Sequence, residues 1–101
     1  MKLSLDPALR TAERDGEKLV LRPLEFDLLL YLYARADRVV TAPELCAALW
    51  PGEAAPRSRL VVHLHNLREA LRHPVLHSVA GGYVLSETPP PDARRVRHRT
   101  R

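Results

Sequence analysis

Cysteine is nearly missing from this chain: Cys46 is the only one in 101 residues. A single thiol forms no internal disulfide and builds no thiolate metal cluster. No apolar run approaches the roughly 20 residues needed to span a bilayer, and the opening MKLSLDPALR lacks the apolar core of a secretion signal. A cytoplasmic location is the resulting expectation. The four glycines do not form a phosphate-cradling loop behind a strand, and there is no nucleophile motif and no HExxH. Glu25 and Asp27 fall on different sides of their helix and make no acid pair. His63 and His65 are two apart and diverge, while Pro74 separates His73 from His77. Neither catalysis nor a metal or other cofactor is expected. Aromatics are few, and Phe26, Tyr31 and Tyr33 read as core or helix-surface residues.

An imbalance of charge is also lacking in the part that can fold. The net charge is +4, and the five arginines after Thr88 with Asp92 supply all of it. Residues 1–87 carry eleven basic and eleven acidic side chains. Within them the positive charge is concentrated: residues 57–72 hold Arg57, Arg59, Arg68 and Arg72 against Glu69 alone. Phosphate binding follows the local field, so this asymmetry says more than the total.

The length allows one domain with one core. Lys2–Leu5, Thr11–Arg14 and Glu17–Leu21 read as a small antiparallel sheet, with Asp15-Gly16 as a favourable hairpin pair. A first helix begins at Pro23, where a missing N–H costs nothing, and ends near Arg35. Its apolar face is read as Leu24, Leu28 and Leu32, with Phe26, Leu29 and Tyr33 beside them. Arg38–Val40 is a short extended piece. Thr41-Ala42-Pro43-Glu44 has the form of a reciprocal capping box. It opens a second helix with Leu45, Cys46, Ala48 and Leu49 inward, stopped at Trp50-Pro51-Gly52. From Ser86 onward a PPPD stretch and an arginine run cannot bury apolar area, so 88–101 is expected to be a disordered basic tail.

The segment RSRLVVHLHNLREALR carries the strongest pattern. Leu60, Leu64, Leu67 and Leu71 recur at i, i+4, i+7 and i+11, one narrow stripe of a helix turning about 100° per residue. The opposite face offers Ser58, Arg59, Val62, His65 and Asn66, with His63 and Arg68 on the flanks. Val61, also on a flank, is expected to pack against a neighbouring element. Pro74 ends the helix, and His77–Val79 and Tyr83–Leu85 flank a tight turn at Ala80, Gly81 and Gly82. A leucine-backed helix with donors outward, followed by a β-ribbon, is the plan of a winged helix-turn-helix. The expected class is α+β: an N-terminal antiparallel sheet, three helices and a C-terminal hairpin wing, all within 1–87.

Several stretches together match a known family: LSLDP at 3–7, DGEKLVLRPLEFDLLLYL at 15–32, RVVTAPELCAALW at 38–50, VHLHNLREAL at 62–71 and GGYVL at 81–85. Across about residues 3–85 the chain resembles the OmpR/PhoB-type C-terminal DNA-binding domain of bacterial response regulators. Its Trp50-Pro51 junction is also similar to the DNA-binding domain of antibiotic-regulatory-protein activators. The resemblance implies that the third helix lies in a major groove, with Ser58, Arg59, Val62, His63, His65, Asn66 and Arg68 toward the bases. It puts Trp50, Ser78 and Tyr83 against phosphates, and the start of the helix at Arg57 joins them. Ala80, Gly81 and Gly82 would form the wing at the adjacent minor groove.

This sequence departs from that pattern. Ser58, His65 and Asn66 occupy positions commonly basic in the family, Ala80 replaces a wing arginine, and the wing is about one residue shorter. Weaker sequence-independent binding follows, because each phosphate contact adds about 0.9 to the salt slope. Arg59 suits guanine, Asn66 suits adenine, and Val62 suits a thymine methyl. The expected function is sequence-specific double-stranded DNA binding as a bacterial transcriptional regulator, as paired or tandem copies and with RNA polymerase as a further partner. The rival from another class is a protein-interaction winged helix docking on polymerase or another regulator, with DNA attraction left to the arginine tail. With no receiver domain before Met1 and no further domain after the wing, the chain reads as a stand-alone regulator or as a piece of a longer one.

Overall fold

Three short strands form an antiparallel meander: β1 (Leu3–Asp6), β2 (Thr11–Arg14) and β3 (Glu17–Lys18). The structure is a computed structural model describing residues 2–54 and 56–87; the tail expected at 88–101 lies outside them. The β1–β2 turn closes on Asp6, whose Oδ1 accepts the N–H groups of Ala8 (3.0 Å) and Leu9 (3.1 Å). The β2–β3 turn is Asp15-Gly16, both at positive φ (52° and 83°), as a two-residue hairpin with the native twist requires. β3 is shorter than the expected strand. Leu19 N–H still reaches Ala12 O at 2.9 Å, after which the chain turns toward Pro23.

Three helices follow: α1 (Pro23–Ala34), α2 (Ala42–Leu49) and α3 (Arg57–Leu71). The buried stripe of α1 is Glu25, Phe26, Leu28, Leu29 and Leu32. It corrects the sequence reading in two places: Leu24 is only half-buried, and Tyr33 is exposed. α2 buries Leu45, and Ala48 faces outward instead of inward. Thr41 Oγ1 accepts Glu44 N–H at 3.2 Å, so half of the capping box is present. The Glu44 carboxylate goes elsewhere, accepting from Tyr31 Oη (2.7 Å) and Arg38 (3.2 Å). Those partners lower the Glu44 pKa, the Tyr31 hydrogen bond foremost, and the same bond raises that of Tyr31.

The leucine stripe of α3 seats it in the core: Leu60, Leu64, Leu67 and Leu71 are buried against Leu28, Leu29, Leu32, Val40 and Leu45. Each such leucine contributes roughly 1.5–3 kcal/mol. Four of them outweigh the missing side-chain cap at Pro56, a loss of about 1 kcal/mol. At the far end Arg72 takes a left-handed conformation (φ 55°), and the Arg14 guanidinium donates to Leu71 O, tying the first sheet to the helix end. Val61 is 47% exposed and Val62 57%, so Val61 does not pack against a neighbour as expected.

The chain ends in the hairpin β4 (Leu76–Val79) and β5 (Gly82–Leu85), with Val79 opposite Gly82. Its base is fixed to the segment before α2. Val40 N–H donates to Tyr83 O (2.8 Å) and Tyr83 N–H to Val40 O (2.9 Å). Glycine is required at position 82, because a Cβ there would stand 2.2 Å from Val40 O.

Candidate nucleic-acid interface

With its leucines turned inward, α3 presents one open edge and two flanks. The open edge is Ser58, Val62, His65 and Glu69, all exposed. No acid lies in the first turn of the helix, whose positive dipole end favours an anion.

One flank faces the hairpin. Arg57 donates to Tyr83 Oη at 3.2 Å, and this bond and the nearby phenol raise the arginine pKa further. Tyr83 is itself buried. One η nitrogen of Arg68 donates to Ser78 Oγ at 2.8 Å, and its Nε to Leu76 O at 3.3 Å. Arg57, Arg68, Ser78 and Tyr83 are thus brought together, joining helix to wing. Ala80 and Gly81 form the exposed tip.

The other flank faces α1 and α2. The Arg59 guanidinium pairs with Glu53 Oε1 at 3.1 Å and lies over the Trp50 ring, 5.1 Å from its centre. The His63 imidazole stands 5.7 Å from the same ring, tilted by 47°. Its Nδ1 is 2.7 Å from Glu25 Oε2, and Asn66 Nδ2 reaches that same oxygen at 3.4 Å. Asn66 is half-buried on a cleft shared with Val20, Leu21, Arg22, Glu25, Glu69 and Ala70. His65, two positions from His63, is fully on the open edge, so the two imidazoles diverge as their spacing requires.

The sequence reading therefore finds the donors of this face and misses two acids that hold them. The sequence pattern shows Glu25 only as an acid diverging from Asp27 and assigns Glu53 no role. A signal for Glu25 was present: residues 25, 28, 29 and 32 follow the i, i+3, i+4, i+7 spacing of a buried stripe. An acid at its first position needs a polar partner inside. Among the described residues no group of three potential ligands could hold a metal, and no helix is long and apolar enough to cross a membrane.

Residues 16–85 match the family described as "Transcriptional regulatory protein, C terminal". Over 94 residues the chain is 37% identical to the response regulator MprA of Mycobacterium ulcerans (strain Agy99), covering 87% of this chain and 40% of that protein. Over 85 residues it is 39% identical to the transcriptional regulatory protein QseB of Escherichia coli O157:H7, covering 82% and 39%. Among solved structures it is similar to the DNA-binding domain of CpxR from E. coli, with TM-score 0.73 and 30% identity over 85% of this chain and 92% of that one. It shares its fold with the Klebsiella pneumoniae RstA DNA-binding domain in complex with RstA box, with TM-score 0.75 and 24% identity over 87% and 94%. The chain spans about two fifths of the length of the curated relatives named here. It belongs to this family of transcriptional regulatory C-terminal domains, an OmpR/PhoB-type winged helix and not an enzyme.

Proposed function

We propose that this chain binds double-stranded DNA sequence-specifically as the effector domain of a bacterial transcriptional regulator acting in the cytoplasm. The open edge of α3 enters the major groove and the β4–β5 hairpin lies at the adjacent minor groove. The single observation that carries this reading is the arrangement of α3. Its leucines are buried, and Ser58, Val62 and His65 project outward between arginines anchored on either side. Arg57, Ser78 and Tyr83 on the wing flank and Trp50 on the other supply phosphate contacts, while Arg59, Asn66 and the open edge read bases. His63 and Arg68 support that face from its two flanks. Residues 1–87 form the binding unit, and the arginines after Thr88 add sequence-independent attraction. One module of this size covers little DNA, so paired or tandem copies bind together, and contact with RNA polymerase follows on the DNA.

Enrichment from a pool of random duplexes tests the reading. The expected result is a defined half-site whose enrichment falls when Arg59 and Asn66 are changed to Ala. A second reading, a protein-docking module, is favoured by the exposure of Val61 and Val62. Binding measured across about 50 to 300 mM salt separates the two. Affinity that survives Arg59→Ala with Asn66→Ala, and disappears when Arg94–Arg101 are removed, defeats groove reading and leaves the docking module.

A further inference from the structure

Glu25 is 3% exposed, yet its carboxylate belongs to no ion pair within α1. Its Oε2 instead meets two side chains of α3 that lie 38 and 41 positions later in the chain, His63 and Asn66. A carboxylate only accepts hydrogen bonds, so both neighbours must turn a donor toward it. For Asn66 this fixes the amide: Nδ2 faces Glu25, and Oδ1 with the second N–H faces away. Flipping the amide would set one oxygen against another. For His63 the carboxylate requires a proton on Nδ1, which fixes that nitrogen as the inward donor of the ring. The Trp50 ring closes the other side of the imidazole.

We propose that Glu25 is a positioning residue for base selection. It fixes, from inside the fold, which atoms of Asn66 and His63 donate and which accept. The inference rests on the DNA reading above and goes beyond it by assigning a buried residue of α1 that is not itself part of the open edge. An amide held in this sense has its acceptor and one donor side by side, the pair that matches the N6 and N7 edge of adenine. Burial is what makes Glu25 effective: two donors are needed to compensate a desolvated carboxylate, so neither neighbour can turn away cheaply.

The isosteric substitution Glu25→Gln keeps the shape and gives the side chain a donor, so it no longer dictates either neighbour. In the full chain, the expected result is about a tenfold fall in the ratio of affinities for the selected duplex over variants at one base pair. In the Asn66→Ala background the same substitution lowers that ratio by a smaller factor, the part carried by His63. Nitrogen NMR of the His63 imidazole shows Nδ1 protonated in the parent and a redistributed proton in Glu25→Gln. A merely structural role predicts equal weakening on every duplex, with the ratio intact, and would overturn the assignment. Effects of Glu25→Gln and Asn66→Ala that simply add would overturn it too. A parent chain that enriches no sequence defeats the DNA reading itself, whereas a selected site that Glu25→Gln leaves unchanged defeats only the role of Glu25.

Discussion

Arg57 and Arg59 stand two positions apart on α3 and are held by opposite chemistry. Arg57 leans toward the wing and donates to the Tyr83 phenol. Arg59 leans toward α2, where the Glu53 carboxylate takes it over the Trp50 ring. A phenol orients a guanidinium and leaves its charge uncompensated, while a carboxylate orients it and cancels its charge. The wing flank therefore keeps its positive field for phosphates. The α1–α2 flank, where Glu53 holds Arg59 and Glu25 holds His63 and Asn66, fixes its donors but keeps no uncompensated cation. Orientation without field suits discrimination between bases; field without bidentate geometry suits backbone attraction.

The largest effect is expected where the wing flank is anchored. Gly82→Ala places a Cβ 2.2 Å from Val40 O, a backbone contact that no side-chain motion relieves. The Val40–Tyr83 bridge must open, and Arg57 loses the phenol that orients it. A loss of about 3 kcal/mol or more is expected, a fall of Tm on the order of 10–20 °C for a domain of this size. Thermal denaturation followed by circular dichroism measures it. An unchanged Tm would show that the bridge does not organise the hairpin.

The next effect separates the two arginines directly. Arg57→Ala is expected to weaken binding to all duplexes alike and to lower the salt slope by about 0.9. Arg59→Ala is expected to cost about 1–3 kcal/mol on the selected site and little on random DNA, with a smaller change of slope because Glu53 already neutralises that cation. Titrations at several salt concentrations read both numbers. Equal slopes and equal loss of selectivity for the two variants would erase the distinction between the flanks.

How much of this was legible follows from the range of each interaction. The leucine stripe of α3, the Pro23 start of α1, the Asp15-Gly16 turn and the wing glycines are set within a few residues, and the structure has them where the pattern put them. The Tyr83 and Ser78 contacts to arginines, the Glu53 pair and the Glu25 pair join residues from 6 to 41 positions apart. Local periodicity carries no signal for such partners. Glu44 shows the limit most clearly: a capping-box spacing is permissive, and Tyr31 with two arginines drew the carboxylate away from the backbone. Tyr33 and Ala48 lay on edges of apolar stripes, where a turn of a few tens of degrees decides between core and solvent.

A smaller effect, of opposite sign, is expected at Glu53. Before Arg59 can reach DNA, its pair with Glu53 must loosen; the partners are 43% and 57% exposed, so the pair is a weak one. Glu53→Gln removes the competing charge and is expected to tighten binding a few-fold, with a slightly steeper salt dependence. Fluorescence anisotropy on the selected duplex measures the change. Weaker binding would mean that Glu53 serves to orient Arg59 and does not restrain it.

The smallest effect concerns the two phenols, which repeat the contrast between the flanks in reverse. Tyr83 accepts from an arginine, whereas Tyr31 donates to Glu44, beside Arg35 and Arg38. The Tyr31 bond is the main cause of the lowered Glu44 pKa. A carboxyl with a depressed folded-state pKa stabilises the fold above its unfolded-state value, and that contribution is lost as pH falls through the folded one. Tyr31→Phe returns Glu44 toward the ordinary glutamate range. The parent should therefore exceed this variant in Tm by a small, constant margin near neutral pH, and the margin should shrink as pH drops below about 4. Tyr83→Phe removes a bond to a cation that no accessible acid pH discharges, so its margin should persist where that of Tyr31→Phe fades. Parallel margins for the two variants across the acid range would show that the Tyr31 bond does not depend on the charge of its carboxylate partner.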